Sequence, residues 1–293
     1  MTPPASSAAY PWTSYLDRFH EDRPGITEEV LSEACDIEGT NPYTWLLALV
    51  PRIPGAVALD LACGSGPLQI ADSHRRWVGV DRSSGELARA GSATPRVLVR
   101  GDGERQPFRD ATFDLVACSM ALMLFNSVDA ALAEIHRVLR DDGTLVLLLP
   151  GSLPLSTRDR VRYVRLLAAL RELRPAYPNS VHLGRLHARL ERAGFAVVSD
   201  ERRCFRYPLR DERHAQRLVE SLYVPGLSSE RIEGAARSAS SWVGSTIGIP
   251  LRRVVCGKQA GMSAGSVELA ISALEHLPGF HRSGARHSVA GTG

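Results

Sequence analysis

The first residues that could do chemistry form a glycine-rich segment beside an acid. The run Leu59–Pro67 reads LDLACGSGP and follows an apolar, strand-like stretch. At the carboxyl end of a buried strand, Gly64 and Gly66 permit a sharp turn and let a ligand approach the backbone closely. A dinucleotide fingerprint would need a third glycine where Gln69 stands, and the Gly-Lys-Ser/Thr of a phosphate loop is absent. With Asp60 beside the turn, the segment favours a cationic ligand over a pyrophosphate.

Two further acids follow the next two strand patterns. Asp81 ends the run WVGVD, and Asp102 stands between two glycines after the third strand. An ionised aspartate offers two acceptor oxygens, so Asp81 can accept both hydroxyls of a ribose. Asp102 can accept a hydrogen bond from the amino group of an adenine. Acids at three successive strand ends are a far more specific signal than the glycines alone, and they predict a nucleoside site for a cationic ligand.

Four segments in this order and spacing resemble a known family. LDLACGSG, VGVD, GDGERQPFRDATFDLVACSMAL and EIHRVLRDDGTLVLLLP resemble the class I S-adenosylmethionine (SAM)-dependent methyltransferases, above all the small-molecule group of ubiquinone and menaquinone methyltransferases. The resemblance covers residues 54–150. It implies SAM as cofactor and S-adenosylhomocysteine as product. SAM carries an ammonium and a sulfonium but no phosphate, which agrees with the acids.

The resemblance also implies roles for ten residues of the cofactor site. Those that would surround the methionine end are Asp60, Ala62, Gly64 and Gly66. Those that would hold the ribose are Asp81 and Arg82, and those at the adenine are Asp102 and Gly103. Those that would face the reacting centre, at the end of the fourth strand, are Ser119 and Met120.

Two departures from the family pattern concern the surroundings of this site. The segment between Gly66 and Val78 is about one helical turn shorter than the pattern leads us to expect. The apolar stretch Met120–Phe125 can be read equally well as core or as a wall of the substrate site.

Candidates for a general base are weaker. Methyl transfer from a sulfonium is an in-line displacement with a good leaving group, so positioning alone can supply much of the acceleration. A base is needed only if the nucleophile loses a proton early. The weak candidates are Tyr15, His20, His182 and Tyr223, and for each a packing or surface role is the better interpretation.

Alternating strand and helix patterns must position these residues. The apolar runs that indicate buried strands are Ala56–Leu61, Trp77–Asp81, Arg96–Arg100, Phe113–Ser119 and Thr144–Leu149. Two later strands, Phe195–Arg206 and Leu251–Gly257, flank a helical insert and suit an antiparallel edge hairpin. The pattern predicts an α/β fold: a Rossmann-like, doubly wound, mostly parallel seven-stranded sheet.

Helix signals complete the predicted organisation. An apolar stripe predicts a helix over Val128–Leu139 that Gly143 stops, and Thr27 and Asn41 are predicted to cap two helices near the N-terminus. We expect an N-terminal helical cap over residues 1–51 and a SAM-binding domain over 52–258. Helical inserts, one of them a lid, are expected at about 151–182 and 211–243, and a largely disordered tail over 259–293.

Composition excludes several classes of protein. The 293 residues carry a net charge of +3 without a clustered basic tract, which argues against a nucleic-acid partner. Five cysteines without a C-x-x-C pair argue against a disulfide framework and a metal site. Without a signal sequence or a long apolar run, the chain is predicted to be cytoplasmic and not to contact a membrane.

The leading functional hypothesis is methyl transfer from SAM to O, N or C of a small, rather apolar molecule, as in specialised natural-product metabolism. The first alternative is a methyltransferase-like cyclase or isomerase that binds SAM or S-adenosylhomocysteine without transferring a methyl group. The second is a non-catalytic partner subunit. The acceptor, the oligomeric state and any protein partner stay open.

Overall fold

The fold is built around one seven-stranded sheet with helices around it. In this computed structural model the described residues are 12–93, 97–153, 155–172, 177–179 and 184–259. The strands are β1 (Val57–Leu61), β2 (Arg76–Asp81), β3 (Val97–Arg100), β4 (Phe113–Ser119), β5 (Leu139–Pro150), β6 (Phe195–Leu209) and β7 (Ser245–Lys258). The helices before β4 are α1 (Trp12–Asp22), α2 (Ile26–Glu33), α3 (Pro42–Leu47), α4 (Pro67–Ala71) and α5 (Ser84–Ala93). Those after it are α6 (Val128–Val138), α7 (Thr157–Leu170), α8 (Leu186–Arg192), α9 (Glu212–Glu220) and α10 (Ser229–Ser240).

The strand order is β3-β2-β1-β4-β5-β7-β6. The first five strands of that order are parallel, whereas β7 runs antiparallel to both β5 and β6. The chain moves outward from β1 to β3 and then returns to place β4 beside β1. In doubly wound sheets, such a switch in direction opens a crevice at the carboxyl ends of the two central strands. The predicted Rossmann-like sheet with an antiparallel edge hairpin is confirmed.

The central strands are apolar nearly throughout because both faces of the sheet are covered. Leu115 of β4 and Val146 of β5 pack in a core on one face, together with Trp45 of the N-terminal helices. Their neighbours Val116 and Leu145 pack on the other face, against α6. Successive side chains of a strand point to opposite faces, so two covered faces require a continuous apolar run.

Two predicted helix signals are wrong. Helix α2 begins at Ile26 after Gly25, whose φ is 79°, and Thr27 therefore lies inside the first turn. Its hydroxyl instead faces the Tyr223 hydroxyl at 3.3 Å. Helix α6 ends at Val138, well before Gly143, because Phe113 of β4 pairs directly with Leu139. Strand pairing rather than glycine ends that helix.

The predicted cap of α3 is confirmed, since the Asn41 side chain accepts a hydrogen bond from the Thr44 amide at 2.9 Å. The hairpin strands β6 and β7 are longer than expected because they pair with each other out to Leu209 and Ser245. The predicted tail, apart from residue 259, lies outside the described residues. None of the described helices is long and apolar enough to cross a membrane.

Candidate functional site

A cleft lies at the carboxyl ends of the central strands, beneath the N-terminal helices. It encloses about 940 Å³ of space, part of which is open to solvent. Nine of the ten residues predicted to bind a cofactor line this cleft, and the tenth is Gly66. Side chains of α1, α2 and α3 form the opposite wall, so the cleft is shared between the sheet and these helices.

The floor of the cleft is the glycine turn. Ala62, Gly64 and Gly66 all have positive φ, at 55°, 51° and 78°. Gly66 supports the turn rather than lining the cleft, because it stands immediately before α4 and donates its amide to the Cys63 carbonyl at 2.8 Å. Helix α4 has only five residues, which accounts for the short segment expected between Gly66 and Val78.

Gln69 occupies the position that would be the third glycine of a dinucleotide fingerprint. Its side chain is buried against Gly79 of β2, where a Cβ would lie 2.8 Å from Gln69 Nε2. In dinucleotide-binding folds a glycine of the helix lets helix and strand pack closely. Here the helix carries Gln69 at that position, and the close contact is possible because the strand carries Gly79.

Asp81 binds the protein's own backbone as well as facing the cleft. Its Oδ2 accepts a hydrogen bond from the Gly64 amide at 2.9 Å, and its Oδ1 accepts one from the Ser83 amide at 2.9 Å. Burial raises the pKa of Asp81 above its usual value, although these two hydrogen bonds oppose the rise. Each carboxylate oxygen can accept a second hydrogen bond, so a diol could still bind here.

The remaining predicted cofactor residues differ in exposure. Asp60 is buried at the end of β1, with 1% of its surface exposed. Asp102 Oδ1 accepts the Glu104 amide at 2.9 Å. The Arg82 guanidinium is about half exposed at the mouth, where its Nε lies 2.9 Å from Asp17 Oδ1 of α1. Met120, at φ 55°, follows β4 in a left-handed conformation.

The apolar stretch after β4 is divided between core and cleft. The Leu122 and Met123 side chains are fully buried in the protein. Met120, Leu124 and Phe125 line the cleft instead. The stretch therefore contributes both to the core and to the wall of the cleft, because side chains of its 3-10 turn (Leu122–Leu124) point in opposite directions.

Sequence reasoning missed an acid of the opposite wall, Glu28 of α2. Its Oε1 lies directly over the glycine turn, since a Cβ on Gly64 would be 2.0 Å from it. Its Oε2 is buried without a hydrogen-bond partner among the described residues. Burial, followed by the charge of Glu86, raises the pKa of Glu28 to about 8. Its place in the first turn of α2 resembles an ordinary helix-start acid, so no local signal sets it apart.

Among the weak catalytic candidates, His20 has the geometry of a general base. Its Nδ1 lies 2.8 Å from Glu86 Oε1, and the imidazole lines the cleft. Glu86 is itself held by the Gly25 amide at 2.9 Å. Burial lowers the pKa of His20, but the hydrogen bond and charge of Glu86, together with the charges of Asp81 and Glu28, raise it above its usual value of 6.5. An acid that orients one ring nitrogen leaves the other for proton transfer.

The other candidates are placed differently. Tyr15 does not line the cleft, and its hydroxyl accepts the Val224 amide at 2.8 Å. Tyr223 lines the cleft and packs against Phe19 with ring centroids 4.8 Å apart. Burial raises the pKa of Tyr223 well above 10, so its hydroxyl stays protonated. His182 lies outside the described residues.

No group of metal-binding side chains occurs among the described residues. All five cysteines are free thiols, as the sequence predicts. Burial raises the pKa of the Cys63 thiol, which lies in the glycine turn, well above its usual value. A thiol that stays protonated is a poor nucleophile, which fits a packing role for Cys63 in the turn.

Comparisons with known proteins agree with this architecture. The sequence profile of a family described as "Methyltransferase domain" matches residues 59–147. The demethylmenaquinone methyltransferase of Thermobifida fusca is 37% identical over 123 residues, which cover 39% of this chain and 52% of the relative. The demethylmenaquinone methyltransferase of Corynebacterium kroppenstedtii is 40% identical over 94 residues, which cover 31% of this chain and 41% of that relative. The chain thus spans about half the length of the curated relatives it matches.

Solved structures are similar in fold. A Bacillus halodurans protein described as a methyltransferase superposes with a TM-score of 0.54 at 18% identity, covering 75% of this chain and 99% of that one. The cyclase SpnF superposes with a TM-score of 0.54 at 17% identity, covering 84% of this chain and 96% of SpnF. At these identities the likeness establishes the fold alone. The profile match therefore identifies a methyltransferase domain over residues 59–147 of this chain.

Proposed function

We propose that the protein transfers the methyl group of SAM to O, N or C of a small, rather apolar molecule. The observation that carries this proposal is the convergence of Asp60, Asp81 and Asp102 on one cleft around the glycine turn. These acids suit a ligand with positive charge, a ribose and an adenine amine. A phosphate in the same place would face carboxylates of both walls.

The donor set fits SAM. The acids and glycine amides of the floor would hold the cofactor in the order implied by the family, with Asp81 at the ribose and Asp102 at the adenine. When bound, SAM supplies an electrophilic methyl group. The chain's contribution is to hold the acceptor in line with that group and to exclude water, and positioning of this kind can lower a barrier by about 7–11 kcal/mol.

The acceptor site is apolar with a few polar groups. The apolar surface comes from Leu16, Met120, Leu124 and Phe125, and Tyr43 and Tyr223 also line the cleft. The curated relatives are named as demethylmenaquinone methyltransferases, and we propose a small, rather apolar acceptor for this chain as well. Proteins of similar fold include the cyclase SpnF and a protein of echinomycin biosynthesis, and a role in specialised metabolism is part of the proposal.

We assign proton removal from the acceptor to His20, oriented by Glu86. The neutral imidazole is the active form, so turnover is expected to rise as the pH passes the raised pKa of His20. With an acceptor in hand, His20→Gln should lower kcat by about 10²–10⁴-fold while the Kd for S-adenosylhomocysteine changes little. An unchanged pH–rate profile in that variant would remove this assignment.

Calorimetry with SAM and S-adenosylhomocysteine tests the cofactor site. Asp81→Ala should abolish binding, because it removes the ribose acceptor and the hydrogen bond that holds the Gly64 amide. The matched control is Asp141→Ala, whose side chain is 81% exposed beside Lys258, far from the cleft. Circular dichroism should show both variants folded. Unchanged affinity in Asp81→Ala would overturn the ribose assignment.

The release of S-adenosylhomocysteine separates the functional alternatives. Methyl transfer predicts one molecule released per molecule of product when the protein is incubated with SAM and a panel of small apolar phenols, amines and quinols. Product without S-adenosylhomocysteine would indicate the cyclase or isomerase alternative. Failure of the pure protein to bind either compound would indicate a non-catalytic subunit.

A further inference from the structure

Among the described acids that line the cleft, Glu28 is the one that comes from the helices above the sheet. It projects from the first turn of α2 across the cleft to the glycine turn. The place where a Cβ of Gly64 would stand is 2.0 Å from Glu28 Oε1. The carboxyl group therefore lies in contact with the turn that is expected to hold the amino-acid end of the cofactor.

Among the residues that the structure describes, Glu28 has no partner of opposite charge that binds it directly. The titratable groups that face it from the neighbouring elements are His20, Tyr43, Cys63, Asp81, Glu86 and Tyr223. Three of these carry no charge at neutral pH, and two are acids. His20 is already bonded to Glu86. Glu28 Oε2 accepts no hydrogen bond within the described chain although it is buried.

A buried acceptor without a donor costs about 1–3 kcal/mol, and such groups in folded proteins call for an explanation. A cationic donor brought by a ligand would meet both requirements of this carboxyl group, a hydrogen bond and a positive charge. The amino-acid end of SAM carries such a donor, the α-ammonium group. The sulfonium is expected instead near Ser119 and Met120, across the cleft.

We propose that Glu28 binds the α-ammonium group of SAM and S-adenosylhomocysteine, and that its own proton passes to solvent when either compound enters. This inference rests on the proposed function. The carboxyl O–H bond breaks, the proton goes to water, and an N–H···O hydrogen bond forms between the ammonium and the carboxylate. The ammonium keeps its protons throughout. Cofactor affinity therefore rises with pH as Glu28 becomes easier to ionise.

Calorimetry in two buffers of different ionisation enthalpy measures the proton released. The wild type should release close to one proton per S-adenosylhomocysteine at pH 7, and its affinity should rise between pH 6 and pH 8. Glu28→Gln should bind about 10- to 100-fold more weakly at pH 8, because a charge-assisted hydrogen bond is lost. Its proton release should disappear. Glutamine mimics the protonated acid in size and charge, so the fold should persist.

Two comparisons give the experiment its controls. Glu29→Gln makes the same change one residue further along α2, where the carboxylate pairs with Arg217 at 2.9 Å, and it should bind like the wild type. 5′-Methylthioadenosine lacks the amino-acid end altogether. It should bind equally to the wild type and to Glu28→Gln, without proton release in either protein.

Each other outcome overturns the inference. Equal affinity and equal proton release in Glu28→Gln would remove Glu28 from the site. Weaker binding of SAM but not of S-adenosylhomocysteine would place the sulfonium, not the ammonium, at Glu28. Equal weakening of methylthioadenosine would make Glu28 a support of the helices. A wild type that binds none of the three compounds would refute the proposed function itself.

Discussion

The strand-end acids of the cleft accept hydrogen bonds from the protein's own backbone as well as lining the ligand site. Asp81 holds the Gly64 and Ser83 amides, and Asp102 holds the Glu104 amide. Each bond rigidifies the loop that follows its strand. A site whose loops are already held in place loses less conformational entropy when a ligand binds. Single residues here therefore have a structural and a binding role that one substitution cannot separate.

Gly64 offers a test of close approach at the residue scale. Its φ of 51° strains any other residue, and a Cβ would collide with Glu28 Oε1. Gly64→Ala should therefore lower S-adenosylhomocysteine affinity at least 10-fold and lower the free energy of unfolding by about 1–3 kcal/mol. Urea denaturation and calorimetry measure the two effects.

Gly55→Ala is the matched control for Gly64→Ala. Its φ of 79° imposes a comparable backbone strain, but a Cβ there has nothing within 4 Å. It should lower stability without changing affinity. Equal effects of the two variants on affinity would show that the contact with Glu28 is unimportant.

The pH dependence of stability tests the burial of Glu28. Its pKa is raised from 4.5 to about 8 in the folded chain, so between these values the folded state holds a proton that the unfolded state has lost. Stability from this group is therefore full below about pH 4.5 and falls as the pH rises towards 8. Glu28→Gln should cancel the fall, which we expect to be on the order of 3 kcal/mol.

Urea titrations of the wild type and Glu28→Gln at pH 5 and pH 8, without ligand, measure that difference. The variant should gain stability relative to the wild type at pH 8 but not at pH 5. His20 and Glu28 influence each other's pKa, so the difference between the two proteins reports this pair, while groups distant from Glu28 are common to both proteins and cancel. The same difference at both pH values would contradict the raised pKa.

At the scale of elements, the Glu21 side chain joins α1 to the start of α5, in addition to the His20–Glu86 hydrogen bond between the same two helices. Glu21 accepts the Ser84 amide at 2.8 Å, the Gly85 amide at 3.1 Å and the Ser84 hydroxyl at 2.8 Å. These amides belong to the first turn of α5, which has no intrahelical partners for them. An acid from α1 thus caps α5. It also attaches α1, part of the wall opposite the sheet, to the loop that follows Asp81.

Glu21→Gln tests this attachment. The amide side chain keeps one acceptor oxygen but loses the charge and the second acceptor. Hydrogen exchange should become faster at Ser84 and Gly85 and along α1, because both elements open more readily. Asp22→Asn, one residue further along α1, is the control and should leave exchange unchanged. Faster exchange at α5 alone would show that Glu21 caps the helix without holding α1.

At the scale of the whole molecule, the N-terminal helices contact elements near both ends of the strand order. Beside the link to α5, the Arg253 guanidinium of β7 lies 4.5 Å from the Trp45 ring centroid and donates to the Trp45 carbonyl. The Cys35 amide donates to the Arg206 carbonyl of β6 at 3.2 Å. A ligand that bridges the sheet and these helices should therefore stabilise the entire fold.

Thermal unfolding measures that coupling. S-adenosylhomocysteine at 100 times its Kd should stabilise the folded state by about 2.7 kcal/mol, a rise in Tm of roughly 5 °C. NAD at the same concentration should cause no shift, since its pyrophosphate would face the acids of the cleft. A comparable shift with NAD would indicate a dinucleotide site and refute the charge argument.

The order of elements and the strand-end acids follow from the sequence. Continuous apolar runs mark strands covered on both faces, and parallel strands bring their carboxyl ends to one edge. Asp60, Asp81 and Asp102 could be placed together for that reason. Helix boundaries were less predictable: Gly143 does not end α6, because pairing between Phe113 and Leu139 ends it first.

The opposite wall of the cleft was decided only by the tertiary structure. Glu28 and Gly64 lie 36 positions apart, and His20 and Glu86 lie 66 apart, on elements whose packing no local pattern encodes. Periodicity reports which face of an element is buried, but not which element covers it. The glycine turn and the strand-end acids that form the floor of the cleft can therefore be predicted from the sequence. Whether an acid from α2 lies buried and unpaired above that floor depends on long-range packing.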